Sequence, residues 1–525
     1  MRKLFRQIDQ KCEEYLEVLV LLLINVTLRI PNFFEPYWYG DEAIYLTVGN
    51  GIRQGLKLYT EIIDHKTPII YYLAAVPSQF WFRVLNLAWM MVATVLFFQL
   101  AKKLFRKTKP AFISSLIFVL LTTLPWLEGN IPNGELFVIG FVLGGWWLLT
   151  KTKLLTEFLA GKYQEVLQGS KKETLLLLGA GSLFGLGVLT KVPGLLDFGA
   201  VLLIGWFALV KLLPSAKTWS GKLKNFWQFV SKSAWLGIGL MIPVVLSIVY
   251  FISQGSGQDY LQYGLLYNIR YSGSWQLELA NPLLEFLFTL PGKVLVLAGI
   301  MSLLSFVKKF TPRFQLIAGW FALTLFAALL SNRPYPHYLI QVVPPLALMV
   351  TELYYLLGKK FATHKATLLT GAGLLIMPIA VMLLLDVRLY STSEYYSRFY
   401  QLVSGQISEQ EYDYSFNPLV ENNYQAAQAI RGLDGERMFI WGTNPMLYAL
   451  THTTPTSRFT VSFHIKDFND YQRTMDQIEE EQPTIIVVMD DEHQELPGLQ
   501  EYLDTYYYPN TQYDTMTLYL LREDQ

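Results

Sequence analysis

Leu368-Leu-Thr-Gly-Ala-Gly-Leu-Leu-Ile-Met-Pro-Ile-Ala-Val-Met-Leu-Leu-Leu385 carries no ionisable residue over its whole length and stops at Asp386. A run of this kind is close to the ~20 apolar residues that a helix needs to cross the hydrocarbon core of a bilayer. Leu16–Ile30 and Ala111–Leu124 are further blocks of the same character. Charged residues make up only 16% of the 525, against about a quarter in soluble proteins. A dozen such blocks exceed what a soluble core needs, so the chain reads as a multi-span membrane protein.

About eleven spans are expected, near 14–32, 82–101, 110–127, 135–150, 174–191, 194–212, 234–252, 291–307, 314–331, 338–357 and 367–386. The apolar segment 69–81 is broken by Pro77 and too short to cross, so it is assigned to the membrane surface. Lysine and arginine crowd alternate connections: Lys102 to Lys109, Lys151 to Lys172, Lys211 to Lys232, Lys308 to Arg313, and Lys359 to Lys365. By the positive-inside rule these connections and the N-terminus are cytoplasmic. The loop 33–68, the stretch 128–134, the loop 253–290, the turn 332–337 and the tail from Val387 then lie outside. The expected fold class is mainly α: a polytopic helix bundle over 1–386 with a small extracytoplasmic α/β domain over 387–525. In that tail 437–441, 484–489 and 515–521 read as strands, and 423–431 and 470–481 as helices.

Net charge is zero, which removes the basic footprint of a nucleic-acid binder. Cys12 is the one cysteine, so no internal disulfide is available. Acidic residues precede the first apolar block and no small-residue cleavage site follows it, so that block reads as a retained helix rather than a signal peptide.

Candidate chemistry collects on the outer side. The first loop contains Pro36-Tyr-Trp-Tyr-Gly-Asp41-Glu42-Ala-Ile-Tyr45, two adjacent carboxylates in an aromatic setting. A low local dielectric favours a carboxylate as a base, although a polar loop beside an aromatic belt has the same composition. The loop ends in Ile63-Asp64-His65-Lys66-Thr67-Pro68, which places a cation and a histidine where an anionic ligand would be held. Lys191, Arg270, Arg333 and His337 add cations to a side otherwise poor in them, and each alone would equally serve as an interface anchor. Outside the cytoplasm there is no pool of nucleotide-activated donors. A transfer reaction there takes its activated group from a lipid phosphate, whose departure lysine or arginine assists.

With these residues quoted, the chain resembles the GT-C membrane glycosyltransferases, in particular the group of protein O-mannosyltransferases and lipid A aminoarabinose transferases. Gly40-Asp-Glu-Ala43 with Tyr45 is similar to the acidic motif of that group's first outer loop. Asp64-His-Lys-Thr-Pro68 resembles its acidic-Lys-Pro-Pro motif, with Thr67 where Pro is usual. Arg83-Val-Leu-Asn86, Asn133-Gly-Glu135, Leu189-Thr-Lys191 and Pro336-His-Tyr338 with Pro344-Pro345 follow in order, so the likeness covers roughly residues 20–350.

The resemblance implies inverting transfer of a sugar from a polyprenyl-phosphate donor to a protein, lipid or glycan acceptor, in a bacterial plasma membrane. Asp41 would be the base and Glu42 would position a substrate. Lys66 and Lys191 would neutralise the donor phosphate with help from Arg333 and His337, while Asp64, His65, Tyr45 and Arg270 would contact substrate. It leaves a divalent metal open and implies no nucleotide cofactor. A transporter or flippase for a lipid-linked sugar, and a non-catalytic sensor of one, are the alternatives.

Overall fold

The computed structural model describes residues 2–273, 275, 277–431 and 437–522, the side chains of residues 2–12 excepted. Cys12 therefore lies outside the described side chains. Contacts divide the chain into two compact units, neither continuous in sequence.

The first unit comprises residues 1–29, 86–247 and 269–391. A helix stands at each of the eleven expected segments, but they differ in length. Among the described residues six helices are long and apolar enough to cross a membrane, or up to eight when two bent pairs each count as one. The bends fall between Gly134–Leu149 and Lys153–Leu159, and between Pro282–Phe288 and Leu290–Phe306. Thr108–Leu121 has 14 residues and Pro312–Ala328 has 17. At 1.5 Å per residue these reach about 21 and 25 Å, short of a hydrocarbon core of ~30 Å, which is why length alone gives fewer spans than apolarity.

Glycine permits a close helix crossing in this unit. A Cβ on Gly181 would meet Leu236 O at 2.2 Å, and one on Gly239 would meet Leu178 O at 2.3 Å. Helices Lys171–Val188 and Trp219–Ser253 thus touch backbone to backbone, the contact that small residues permit between membrane helices.

The second unit comprises residues 30–85, 248–268 and 392–525, so the first loop belongs by contact with the tail. Asp41 and Glu42 open helix Gly40–Arg53, whose acidic first turn suits the positive end of the helix dipole. The apolar piece after Pro68 forms only the five-residue helix Ile69–Leu73. The tail builds five strands: β1 (Arg437–Trp441), β2 (Thr454–Pro455), β3 (Ile485–Met489), β4 (Tyr507–Gln512) and β5 (Met516–Leu521). Their order is β2-β1-β3-β5-β4, parallel through β2, β1 and β3 and antiparallel at β5 and β4. Met438, Ile440, Ile485, Val487, Met489, Met516 and Leu518 form the sheet's share of a buried core. Their period of two is what places them on one face. Helices Leu419–Ile430 and Tyr471–Glu481 stand where the sequence places them. The loop joins the tail through Ile63 N, which donates to Arg458 O at 2.7 Å, beside a bridge between Ile63 and Phe459.

Candidate active site

Two groups of polar residues stand out, one in each unit. In the second unit the centre is Lys66. Its Nζ lies 3.4 Å from Asp41 Oδ1 and 3.6 Å from Asp64 Oδ2, and 4.9 Å from the centre of the Tyr45 ring. Tyr45 OH donates to Asp41 Oδ2 at 3.2 Å, reaching back one turn from i+4. Asp41 keeps 27% of its side chain exposed, while Lys66 keeps 8% and Asp64 none. Asp41 is therefore the acid of this group that solvent or a substrate reaches.

The backbone around Lys66 is fixed from several sides. Tyr59 OH donates to Lys66 O at 2.8 Å, Lys66 N donates to Tyr71 OH at 3.0 Å, and Tyr71 OH donates to Asp64 Oδ2 at 2.5 Å. Asn268 Nδ2 donates to His65 O at 3.0 Å. Burial by itself would raise the Asp64 carboxyl, but Lys66, His65 and His464 hold it well below the usual carboxylate range.

The tail supplies His464, to which no motif in the sequence pointed. Its Nε2 lies 3.0 Å from His65 Nδ1 and 3.5 Å from Asp64 Oδ1, and His65 Nδ1 lies 3.1 Å from Asp64 Oδ1. Burial pushes the His464 imidazole down to about 3, with His65 and Lys66 adding to the effect and Asp64 opposing it. The ring is thus in the neutral form that ligates metals. The three ligand atoms are buried and mutually close enough to hold one ion. Their separations approach the ~3.3 Å edge of a tetrahedron with bonds of about 2.0 Å to zinc, so the donors fit a divalent ion with two nitrogen ligands and one oxygen ligand.

Glu42, by contrast, faces inward and is 1% exposed. Arg83 grips it with two hydrogen bonds, from Nε at 2.9 Å and from Nη2 at 2.8 Å, and Gln79 Nε2 adds a third at 3.1 Å. The same Arg83 lies 3.6 Å from Glu35, whose carboxylate also takes the Trp38 indole N–H at 2.8 Å. Tyr395 OH hydrogen-bonds both Glu35 and Asn32, so the tail holds the start of the loop here as well. The position of Glu42 is that of a residue fixing helix Gly40–Arg53 rather than one meeting a ligand.

The first unit gathers the other cations. Lys191 pairs with Glu135 and lies 4.6 Å from the centre of the Tyr338 ring. His337 Nδ1 lies 2.5 Å from Glu128 Oε2, and Glu128 itself adopts a left-handed backbone with φ 59°. Arg333 stacks on Tyr271 at 4.3 Å and on Trp275 at 5.4 Å, and Tyr271 OH meets Tyr338 OH at 3.2 Å. Lys191, His337 and Arg333 are therefore linked through Tyr338 and Tyr271. Arg270 is not brought into this group: it is exposed and forms no ion pair among the described residues. Glu128 and Glu135 are the carboxylate partners; the motif around Asn133-Gly-Glu135 pointed to the second, and nothing in the short stretch 128–134 marked the first.

No protein-family model matches the sequence, and no curated protein matches it. Among solved structures the chain is similar to ArnT from Cupriavidus metallidurans bound to undecaprenyl phosphate. The TM-score is 0.53 at 12% identity, covering 97% of this chain and 98% of that one. It is also similar, with a TM-score of 0.46 and 12% identity over 98% of this chain and 75% of the other, to the oligosaccharyltransferase AglB of Archaeoglobus fulgidus. That structure holds an inhibitory peptide and a dolichol-phosphate.

Proposed function

From a fold shared with ArnT over nearly the whole chain, we propose that this protein is an integral membrane glycosyltransferase using a polyprenyl-phosphate sugar donor at the outer face of a bacterial plasma membrane. The observation that carries the reading is Asp41: a partly exposed carboxylate at the mouth of an otherwise buried group, with Lys66 and Tyr45 holding its two oxygens.

In this reading Asp41 removes the proton of an acceptor hydroxyl as that oxygen attacks the anomeric carbon. The new C–O bond forms as the bond from the anomeric carbon to the donor phosphate oxygen breaks, with inversion. The polyprenyl phosphate leaves with the electron pair, and cations stabilise it. Lys191, Arg333 and His337, grouped within the first unit, are assigned to binding a donor phosphate. Lys66 is assigned to orienting Asp41 and holding its charge. A divalent ion on Asp64, His65 and His464 supplies further positive charge beside Lys66 when bound. Glu42 acts on substrate only through helix Gly40–Arg53. The acceptor is a protein, lipid or glycan hydroxyl.

Transport calls for ionisable groups along the spans, paired across the bundle. Glu173, buried and paired at 2.9 Å with the buried Lys232 of another helix, lies in the first turn of its own helix, and Asp197 is a second buried acid. It sits in the first turn of its helix, and its two oxygens are taken by Trp320 Nε1 and Gln341 Nε2, both at 2.6 Å. That is a satisfied structural carboxyl.

The test uses purified protein in nanodiscs with a panel of polyprenyl-phosphate sugars. One donor is consumed by the unmodified protein, and Asp41→Asn loses on the order of 10³-fold in rate while still binding that donor. Equal rates for both proteins would remove Asp41 as the base. Binding without turnover of any donor, across a panel of acceptors, would remove the transferase reading.

A further inference from the structure

Helix Trp219–Ser253 is longer than a membrane crossing needs. Its 35 residues reach about 52 Å at 1.5 Å each, against a hydrocarbon core of ~30 Å. Residues 234–253 carry no charge and are about long enough to cross by themselves. The turns before them, 219–233, add about 22 Å of helix.

These extra turns keep an apolar face. Trp219, Leu223, Phe226 and Trp227 are all exposed, Trp219 at 79% and Trp227 at 59%. Their spacing of i, i+4, i+7 and i+8 sets them in one stripe, which runs on through the exposed Ile238, Met241, Ile242 and Val245 of the crossing part.

The other side of the helix is fixed to its neighbours. Asn225, Lys232 and Leu236 are buried, and Lys232 Nζ donates to Glu173 Oε1 at 2.9 Å. With the backbone contact at Gly239, these set the rotation of the helix and commit the opposite stripe to face outward.

Charge is the second observation. Residues 211–233 contain five lysines and no acid. Lys222 and Lys224 adjoin Leu223 in sequence, so they lie about 100° to either side of it. Their long stems can follow the apolar stripe while the ammonium groups reach past it. Two copies meeting on this face would set lysines against lysines, so a second chain is not its occupant. A bilayer surface offers what the face lacks: acyl carbon for the stripe, an interface for the tryptophan rings, and phosphate for the lysines.

We propose that residues 217–233 form a docking surface for anionic phospholipids, with the stripe seated at the acyl boundary and Lys217, Lys222 and Lys224 on the headgroup phosphates. A tilt of about 35–40° brings the whole helix within the ~40–45 Å of a bilayer with its headgroups, and membrane helices tilt by up to about 40°. The surface shares no residue with the groups around Lys66 and Lys191.

The single cysteine, Cys12, makes a local readout practical. In the full chain with Cys12→Ser, Leu223→Cys carries a fluorophore, and the protein is placed in nanodiscs of phosphatidylcholine and phosphatidylglycerol. One lipid or the other bears bromine on the upper part of its acyl chain. At equal mole fraction, brominated phosphatidylglycerol quenches the probe about 3-fold more strongly than brominated phosphatidylcholine, within the roughly 5-fold that each lysine near an anionic surface contributes. Changing Lys217, Lys222 and Lys224 together to Gln brings the ratio to about 1, and so does ~1 M salt, which shortens the screening length to ~3 Å. A second probe at Ile238→Cys is quenched in every variant, which shows that the helix is still inserted. Equal quenching by the two lipids at position 223, or a preference that survives the three exchanges, overturns the proposal. So does a probe at 223 that neither lipid quenches, since protein or water would then cover the stripe.

Discussion

The group around Lys66 and the group around Lys191 both set lysine against aromatic rings and carboxylates, but they treat the positive charge differently. Lys66 faces two carboxylates, Asp41 and Asp64, and one tyrosine ring. Lys191 faces one carboxylate and one ring, and Arg333 beside it rests on two rings. A carboxylate partner cancels a cation's charge; an aromatic face stabilises it and leaves the formal charge in place. The first arrangement suits a site that must keep an acid ionised and near a metal. The second suits a site that must keep positive charge for an incoming phosphate.

That contrast makes graded predictions. The largest is the loss in rate for Asp41→Asn, since no cation-rich group can replace a missing base. Next, Arg83→Met strands Glu42 and Glu35 in the interior. It lowers the stability of the second unit by about 3–5 kcal/mol, measured by urea-dependent proteolysis of the loop 33–68, whereas a Glu42→Gln exchange that keeps hydrogen bonds costs less. If Glu42 met substrate directly, Glu42→Gln would instead abolish turnover without moving stability.

Zinc supplied at 100 times its dissociation constant adds about 2.7 kcal/mol to the unmodified protein and nothing to His464→Ala, read as a shift in the melting midpoint. A shift of equal size in both would break the assignment of the ligand trio. Lys191→Gln weakens binding of the lipid-phosphate donor about 10- to 100-fold and leaves the zinc shift unchanged. Loss of both together would mean that the two groups are not separable.

The smallest effect lies away from both. Burial raises the Asp413 carboxyl to about 6, with Glu409 adding to it. A raised folded-state value means that the stabilisation from protonating Asp413 is fully present below its ordinary value of 3.8 and is lost as pH rises through about 6. Asp413→Asn is therefore more stable than the unmodified protein by about 1–2 kcal/mol at pH 7–8, and the difference disappears below pH 4. A gain independent of pH would show that packing, not charge, is responsible.

Much of this was legible in the sequence because apolarity and motif spacing are local. The strands at 437–441, 485–489 and 516–521 announced themselves as short apolar runs. Asp41, His65 and Lys66 were visible because two short segments of one loop carry them. His464 was not, because it lies 399 residues from its partner and nothing in Ser462–Phe468 differs from an ordinary amphipathic turn. β2 escaped because two residues, Thr454–Pro455, leave no period to read. The inward turn of Glu42 escaped for another reason. Adjacent residues on a helix point about 100° apart, so Asp41 and Glu42 cannot face the same way, but which one faces inward depends on Arg83 and Gln79 arriving from another element.

The partnership of His65 with His464 also imposes an order in time. The ribosome makes the loop 33–68 early and the residues that close it 399 positions later. At ~5–20 residues per second that interval is roughly 20–80 s. Throughout it Asp64 and His65 stand without the imidazole that completes their set. The candidate metal site is therefore complete only once the segment Ser462–Phe468 has been made. A chain cut short before Ser462 keeps Asp41 and the six helices long and apolar enough to cross a membrane among the described residues, yet lacks the third member of this trio.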